Sequence, residues 1–261
     1  MAERLRDVAA ALVDLTAITG ADSVLDFACG TGNAALIAAD HAETVVGVDY
    51  EQRLLDIAAA RSRASGRARI SWICADALSP RVPEHRFSVV LSAFGLMYVP
   101  DHRAAAAALA RASAPGARVG LAAWTPGSFM PAMGRALSPY LPLPPGTGAP
   151  PSRWGEEEAL TELLRPHAIQ VGVARRSSVH LSFADVEDAR RFLIRTAGHV
   201  LVERPRLERE GRWVELERDL DRLVRDRNNA TGGAVQIECE YLLALAAAAA
   251  TDGGTEDLAA C

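Results

Sequence analysis

The 261-residue chain contains no lysine, so all 28 of its Lys+Arg charges are arginines. They are outnumbered by 33 acidic residues, and the formal net charge is −5 at pH 7. Proteins that bind the phosphates of nucleic acids or an anionic membrane surface need a basic excess. We therefore expect neither as a partner. Absent lysine with abundant arginine and alanine is typical of GC-rich coding sequence and indicates no function.

Cysteine is also scarce. Cys29, Cys74, Cys239 and Cys261 form no Cys-x-x-Cys pair and no zinc-type spacing, so we expect free thiols in a reducing cytoplasm. No cluster of His, Cys and Asp has metal-ligand spacing either, and we expect no metal ion. The longest alanine run, residues 246–250, is too short to span a bilayer, and charged residues follow Met1 without a signal core. These absences predict a cytoplasmic protein.

Apolar residues make up 49 % of the chain, enough to bury the core of one large domain. Strand and helix patterns alternate through the first 125 residues with short joints. This alternation is typical of right-handed βαβ units and of a parallel sheet covered by helices on both faces. The predicted strands are residues 24–27, 44–49, 69–75, 87–94 and 118–124, and the predicted helices are residues 2–18, 33–40, 51–65 and 102–114.

The second half of the chain has a different texture. Residues 126–153 are rich in proline, which predicts a long loop or cap. We expect a single domain over residues 1–250, in which 1–125 bind a cofactor and 126–230 bind an acceptor, and a disordered tail at 251–261. The later elements are predicted as a helix at 156–164, a strand at 170–183, helices at 185–202 and 205–227, and a last strand at 234–246.

The most informative stretch is VLDFACGTG, residues 24–32, in which a buried strand leads through an acid into a glycine-rich turn. Residues 30–35 also satisfy the dinucleotide pattern GxGxxA, with Asp49 available for a ribose. Asp26 decides whether this turn binds a dinucleotide or S-adenosylmethionine. Its charge would repel the pyrophosphate of a dinucleotide at the end of the first strand. In S-adenosylmethionine the same region holds an ammonium and a sulfonium, which attract a carboxylate.

Two further acids follow strands. Asp49 ends the second strand, where its carboxylate can accept hydrogen bonds from both ribose hydroxyls. Asp76 follows the third strand and can accept a hydrogen bond from the adenine amino group. With Asp26, these acids stand at the carboxyl ends of strands, where open α/β sheets bind ligands. The sequence therefore predicts a site for S-adenosylmethionine.

On these motifs the sequence resembles the class I S-adenosylmethionine-dependent methyltransferases, over residues 20–125 by motif and to residue 246 by layout. The resemblance implies an α/β, Rossmann-like, doubly wound sheet of seven strands in the order 3-2-1-4-5-7-6, mostly parallel with the last strand antiparallel. A helical and proline-rich cap is inserted late in the chain. The cofactor that the resemblance implies is S-adenosyl-L-methionine, with S-adenosyl-L-homocysteine as its product. The residues implied to bind it are Asp26, Ala28, Gly30, Gly32, Asp49, Tyr50, Asp76, Ala77, Ser92 and Ala93.

Within that family, AFGLMYVPD at residues 93–101 is similar to the branch that methylates ubiquinone and menaquinone precursors. The chain differs from that branch at Met97 and Tyr98, where the branch typically carries an Arg-Asn pair. The proline-rich loop and Trp154-Gly155 are similar to actinobacterial small-molecule methyltransferases. The resemblance implies O-, N- or C-methylation of a small molecule by a monomer or homodimer.

Residues on the acceptor side are expected after the fourth and fifth strands and in the cap. Methyl transfer is an in-line displacement, so alignment and desolvation supply much of the rate, and a base is needed only for an acidic acceptor atom. Tyr98, His102 and His199 are the candidate catalytic residues. The predicted acceptor pocket consists of Trp124, Phe129, Met130, Met133 and Trp154.

Two other functions stay open at this point. Because no clear base is present, the second hypothesis is a protein of this fold that retains the cofactor and catalyses a cyclisation or isomerisation without methyl transfer. A non-catalytic binding or partner subunit is the third hypothesis, although the intact cofactor motifs argue against it.

Overall fold

The computed structural model describes residues 2–67, 69–142 and 149–250. In these parts of the chain seven strands form one sheet, with β1 at Ser23–Phe27, β2 at Thr44–Asp49, β3 at Ile70–Cys74, β4 at Phe87–Ala93, β5 at Ser113–Trp124, β6 at Ile169–Phe183 and β7 at Val235–Ala248. Their order across the sheet is β3-β2-β1-β4-β5-β7-β6. Strands β1 to β5 are parallel, and β7 runs antiparallel to both of its neighbours. The predicted order and the antiparallel last strand are confirmed.

Helices cover both faces of the sheet and form a cap beside it. None in the described parts of the chain combines the length and hydrophobicity that crossing a bilayer requires. The helices are α1 at Arg6–Thr16, α2 at Asn33–Ala38, α3 at Gln52–Ala64, α4 at His102–Ala112, α5 at Phe129–Leu137, α6 at Glu157–Leu164, α7 at Val186–Thr196, α8 at Gly198–Arg209 and α9 at Trp213–Asp226.

The central strands are buried from both sides, which explains their nearly continuous apolar sequences. Leu25 and Phe27 in β1 and Val90 and Leu91 in β4 are fully buried. Asp26 interrupts this run and is itself only 1 % exposed. The sheet therefore delivers one carboxylate into an apolar layer, directly before the glycine-rich turn.

The proline-rich stretch is more ordered than predicted. Within residues 126–153, expected to be a loop or cap, α5 occupies Phe129–Leu137, and 3-10 turns follow at Ser138–Tyr140 and Pro151–Gly155. Pro131 is compatible with α5 because it lies in the first turn, where backbone N–H groups have no partner within the helix. Residues 143–148 lie outside the described chain.

The two helices predicted over residues 185–202 and 205–227 are three in the structure. The first break falls at Ala197, which separates α7 from α8. The second falls at Gly211, whose φ of 73° is left-handed and ends α8. Pro205, predicted to begin a helix, lies inside α8 instead. In this part of the chain a glycine marked the end of a helix more reliably than a proline marked the start of one.

Several boundaries also differ from the predictions. Helix α1 begins at Arg6 after a short 3-10 turn and ends at Thr16, because Ala17 takes a left-handed φ of 47°. Helix α4 is capped by Asp101 as predicted, since its carboxylate accepts the Ala104 N–H at 2.9 Å. It ends at residue 112 rather than 114, and β5 starts at 113 rather than 118 because Ser113 already pairs with β4. The predicted tail at 251–261 lies outside the described residues.

The cap has a hydrophobic cluster of its own, apart from the main core around the sheet. It forms where α5, α7, α8 and α9 meet, so the cap helices pack on one another as well as on the sheet. Its two aromatic side chains are Tyr140 and Trp213, and leucines such as Leu137, Leu207 and Leu216 pack with them.

A buried carboxylate fastens α1 to the sheet. Asp22 accepts hydrogen bonds from the Thr19 backbone N–H at 2.7 Å and from the Ser88 hydroxyl at 2.8 Å, and it also pairs with Arg118. Arg118 in β5 donates in addition to the carbonyl of Thr16 at the end of α1, at 2.6 Å. Burial alone would raise the pKa of Asp22, but the donors outweigh it and hold the pKa well below its usual range.

Replacing Asp22 with Asn is expected to lower the free energy of unfolding at pH 7 by about 1–3 kcal/mol, since charged hydrogen bonds are lost. Because the pKa is depressed in the folded state, this stabilisation is complete above the unfolded pKa near 3.8. It is lost as the pH falls below that value. Urea unfolding at pH 7 and at pH 3 measures it, and the variant should differ from wild type less at the lower pH. An equal difference at both would contradict this assignment.

Candidate cofactor and acceptor site

Three predicted acids meet at the carboxyl edge of the sheet. Asp26 pairs in register with Gly47 of β2 and Leu91 of β4, and Asp49 ends β2. Asp76 lies two residues beyond β3, is exposed, and accepts the Leu78 N–H at 2.8 Å, which shapes the turn that follows. The fold therefore brings Asp26 and Asp49 together in the interior of this edge and leaves Asp76 at its surface.

Asp26 is a buried carboxylate with one oxygen unused. Its Oδ2 accepts the Ala35 N–H of α2 at 3.0 Å, whereas Oδ1 is buried and has no hydrogen-bond partner among the described residues. Burial raises the pKa of Asp26 to about 7, the Ala35 hydrogen bond opposes this, and the charge of Asp49 adds to it. A buried acceptor without a partner is costly unless a ligand or water satisfies it.

Asp49 has a second function that its sequence position alone does not show. Its Oδ2 accepts the Gly30 N–H at 2.8 Å and its Oδ1 accepts the Glu51 N–H at 2.9 Å. Each carboxylate oxygen has a further lone pair, so both remain able to accept a hydroxyl. The neighbouring Tyr50 is 78 % exposed and presents an uncovered ring at this edge.

Every second residue of the glycine-rich turn has a left-handed backbone: the φ values of Ala28, Gly30 and Gly32 are 50°, 56° and 80°. A Cβ on Gly32 would lie 2.5 Å from the Trp72 ring, whereas one on Gly30 would meet nothing within 4 Å. Gly32 is thus required by packing and conformation together. Around Gly30 the backbone is open, which lets a ligand approach closely.

Arg61 in α3 holds this turn from outside, and sequence reasoning missed it. Its guanidinium donates to the Thr31 carbonyl at 2.6 Å, to the Thr31 hydroxyl at 3.2 Å and to the Asn33 side-chain oxygen at 2.9 Å. An arginine fork of this kind fixes both position and direction of its partners. No local motif could have identified Arg61, because its partners lie about thirty residues earlier in the chain.

The end of β4 is tied closely to the glycine-rich turn. Ser92, predicted to bind the cofactor, is 2 % exposed; its hydroxyl donates to the Phe27 carbonyl at 3.0 Å and accepts the Leu96 N–H at 3.1 Å. A Cβ on Gly95 would lie 2.4 Å from the Ala28 Cβ. Ala93 is half-buried in this segment, and the predicted Ala77 is buried in the next loop.

Aromatic rings continue from this segment into the core. The Phe94 ring stacks on Trp124 with centroids 3.8 Å apart, and Tyr241 packs edge-on against both. Phe94 has a left-handed φ of 62°, an uncommon conformation for a bulky residue and one that clusters at functional sites. Desolvation of its hydroxyl raises the pKa of Tyr98, although 56 % of the residue is exposed, so the phenol keeps its proton at neutral pH.

His102 is a packed side chain rather than an accessible one. It is 8 % exposed and lies edge-on to Trp154 with centroids 6.0 Å apart. Burial lowers the pKa of His102, although a hydrogen bond with the Met97 backbone opposes the shift. Its imidazole is therefore neutral near pH 7.

A cavity of about 780 Å³ opens beside the segment that follows β4, where Met97 and Tyr98 form part of its wall. Of the predicted acceptor-side residues, Tyr98, Met130 and His199 line it. Trp124, Phe129 and Trp154 are buried in the core, Met133 packs against the core, and these four do not line the cavity. The other described residues around it are Met97, Pro131, Gly134, Arg135, Ser138, Leu141, Pro142, Pro150, Pro151, Ser152, Val202 and Glu203.

The cavity residues that sequence reasoning missed come from α5, from the proline-rich stretch that follows it, from α8 and, as Met97, from the segment after β4. Because residues 126–153 were predicted to be a long loop or cap, no helix was assigned there, and of the cavity-lining face of α5 only Met130 was predicted. A usable signal was present: Phe129, Ala132 and Leu137 are buried on one face, so Met130, Gly134 and the residues around them form another. The described residues contain no group of three His, Cys, Asp or Glu side chains arranged to hold a metal ion.

Comparisons with known proteins agree with this geometry. Residues 24–116 match the family model described as a methyltransferase domain. An uncharacterized protein of Mycobacterium tuberculosis is 36 % identical over 141 residues, which are 54 % of this chain and 51 % of that protein. A demethylmenaquinone methyltransferase of Thermus thermophilus is 36 % identical over 109 residues, 41 % of this chain and 49 % of that protein. The chain spans about half the length of these curated relatives.

The fold is similar to solved structures over nearly its whole length. A putative methyltransferase from Bacillus halodurans superposes with a TM-score of 0.68 at 17 % identity, covering 93 % of this chain and 99 % of that chain. At such identity the likeness concerns the fold alone. With the match of residues 24–116 to the methyltransferase-domain model, it confirms the resemblance to class I S-adenosylmethionine-dependent methyltransferases.

The strand-end residues fit S-adenosylmethionine. The unpartnered Oδ1 of Asp26 suits a cationic group, because a positive charge supplies the missing partner and stabilises the buried carboxylate. The remaining lone pairs of Asp49 suit two hydroxyls, and the uncovered ring of Tyr50 suits a flat base. A pyrophosphate would instead bring a further negative charge to two acids that already repel one another.

Replacing Asp26 with Asn is expected to weaken binding of S-adenosylmethionine at least tenfold, about 1.4 kcal/mol, because the amide cannot pair with a cation. The free energy of unfolding at pH 8 should not fall, since a raised pKa means that the charged carboxylate is penalised in the fold. Calorimetric titration and urea unfolding measure the two quantities. Loss of stability without loss of affinity would contradict the assigned function.

The same carboxyl should make cofactor binding depend on pH. With a pKa of about 7, Asp26 gains a proton as the pH falls to 5.5, and affinity for S-adenosylmethionine in the wild type should decline. The variant Asp26→Asn is the control, because the ligand titrates identically with both proteins. Parallel pH profiles for the two would contradict this prediction.

Replacing Arg61 with Lys is expected to weaken cofactor binding by about 1 kcal/mol, since an ammonium cannot hold three oxygen atoms at once. Arg67→Lys is the matched control: Arg67 also joins the α3 side to the α2 side, but pairs with Asp40 at 2.6 Å, beyond the end of α2. Calorimetry with S-adenosylmethionine compares them. Equal losses in both variants would show that general packing of the two helices is responsible.

Proposed function

We propose that the protein transfers the methyl group of S-adenosylmethionine to a small-molecule acceptor in the cavity beside β4. The observation that carries this proposal is the buried, unpartnered oxygen of Asp26 at the strand end, in a domain of the methyltransferase family. Only a few residues separate this edge from the cavity: Ala93 ends β4, and Met97 and Tyr98 already line the cavity wall.

When bound, S-adenosylmethionine supplies an electrophilic methyl group on a sulfonium. Asp26 holds the positively charged part of the molecule, Asp49 holds the ribose hydroxyls, and Tyr50 covers the adenine. Asp76 is exposed and one of its oxygens already accepts a backbone N–H, so its other oxygen is the acceptor for the adenine amino group. Ser92 acts indirectly, by keeping the backbone of β4 against that of β1.

The acceptor side is built for alignment and exclusion of water more than for strong base catalysis. Tyr98 keeps its proton, so it donates a hydrogen bond to the acceptor and does not remove a proton from it. His102 is buried and does not line the cavity, so we assign it no direct contact with the acceptor. His199 in α8 is exposed at the cavity and is the candidate base for an acidic acceptor atom.

A quinone-like or secondary metabolite is the acceptor class that the similarity to the Thermus demethylmenaquinone methyltransferase supports. The large and mainly apolar cavity is compatible with such a molecule. The excess of acidic residues argues against nucleic acid, and we propose that the protein works in the cytoplasm as a monomer or homodimer.

The test is to incubate the protein with methyl-labelled S-adenosylmethionine and fractionated metabolite extract, and to identify labelled products by mass spectrometry. We expect a product heavier than its precursor by one methylene unit, with formation of S-adenosylhomocysteine. The Asp26→Asn variant, with weakened cofactor binding, should form less of it at limiting cofactor. A product of unchanged mass would favour the cyclisation or isomerisation hypothesis, and bound cofactor without turnover would favour a binding subunit.

A further inference from the structure

The cavity wall is apolar over most of its surface but contains charged groups from two helices. Methionine, leucine, valine and proline side chains form the apolar part, from the β4 segment, α5, the proline-rich stretch and α8. The charged or titratable groups are Arg135 in α5 and His199 and Glu203 in α8, and Tyr98 adds a hydroxyl. Whether these groups are already neutralised decides which ligands the cavity favours.

The acid of the cavity is already paired within its own helix. Glu203 pairs with Arg206 one turn further along α8, with Oε2 and Nε 2.6 Å apart. Arg206 is fixed in turn by Glu210 at 2.9 Å and by the Tyr140 carbonyl at 2.7 Å. Glu203 therefore has a guanidinium partner before any ligand enters, and it shares that partner with Glu210.

The arginine of the cavity has no such partner. Arg135 reaches the carbonyl of Pro126 at 3.5 Å, and within the described parts of the chain it forms no ion pair with a carboxylate. It lies one turn after Pro131, on the face of α5 that lines the cavity. His199 lies one turn before Glu203 and adds donors rather than negative charge. The cavity thus combines apolar walls with an exposed guanidinium that has no carboxylate partner among the described residues.

We propose that the acceptor is an apolar molecule that carries one anionic oxygen group, such as a carboxylate, and that Arg135 binds this group. A guanidinium matches two carboxylate oxygens in a fork geometry, and the apolar walls hold the rest of the molecule. This inference rests on the proposed function, since it takes the cavity to be the acceptor site. It makes Arg135 the residue that selects the acceptor, and it leaves the cofactor site unchanged.

Two fluorescent probes with the same ring system test the charge preference without knowledge of the acceptor. They are 1-anilinonaphthalene-8-sulfonate, which is anionic, and N-phenyl-1-naphthylamine, which is neutral. We expect Arg135→Gln to weaken binding of the anionic probe about tenfold and that of the neutral probe less than twofold. Equal effects on both probes, or none on either, would overturn the proposal.

Two further variants make the result specific to the cavity. Arg227→Gln is the matched control, because Arg227 donates to the Gly127 carbonyl at 3.0 Å, next to the carbonyl that Arg135 reaches, but does not line the cavity. It should not alter either affinity. Gly134→Leu should weaken both probes, since a Cβ there meets nothing within 4 Å and the side chain would extend into free space. Unchanged binding in Gly134→Leu would mean that the cavity does not take these molecules, and would also overturn the proposal.

Calorimetric titration with S-adenosylmethionine separates this inference from the proposed function. Arg135→Gln should bind the cofactor as the wild type does, because Arg135 belongs to the cap and not to the strand ends. The inference is supported if Arg135→Gln loses its preference for the anionic probe but keeps the wild-type affinity for S-adenosylmethionine. If the wild-type protein did not bind the cofactor and did not transfer methyl groups, the proposed function would fail. The probe measurement would still determine the charge preference of the cavity.

Discussion

The structure depends on a buried negative charge at the edge of its sheet. Asp26 is almost completely enclosed, has an unpaired oxygen, and is repelled by Asp49 on the neighbouring strand. Burying such a charge destabilises the fold, so other interactions in the protein must offset that cost. The apolar strands on either side do so, since they bury their side chains from both faces. The protein thereby retains a carboxylate whose electrostatic cost falls when a cation binds beside it.

Around that charge, the backbone is held by side chains from several directions. Asp49 binds the N–H of Gly30, Arg61 binds Thr31 and Asn33, and the Trp72 ring closes against Gly32. A turn with this many left-handed residues has considerable freedom when unfolded, and fixing it in advance reduces the entropy lost on ligand binding. The same groups that would contact the cofactor therefore also shape the protein that receives it.

Much of the cofactor half could be predicted from the sequence, because its signals are local. The alternation of strands and helices, the turn after β1 and the strand-end acids each lie within short stretches. The sheet order followed from the family resemblance. The division into a cofactor part and an acceptor part stays a prediction, as do the individual site residues.

The acceptor half was harder to predict for two physical reasons. Proline in the first turn of α5 looks like a loop signal although it is tolerated there, so the cavity-lining face was overlooked. Aromatic residues such as Trp124 and Trp154 are equally suited to a core and to a pocket wall, and tertiary packing placed both in the core. Arg61 could not be found because its hydrogen bonds connect distant parts of the chain.

The segment from Ser92 to Tyr98 has a consequence for how such a protein diversifies. One end is bonded to β1 through Ser92, and further along the segment the Phe94 ring stacks on Trp124 in the core. A substitution in this shared wall would disturb donor and acceptor together, whereas α5 and α8 form the opposite walls without bearing on the strand ends. New acceptor preferences are therefore most readily acquired through the helices of the cap, while the shared wall is constrained to change little.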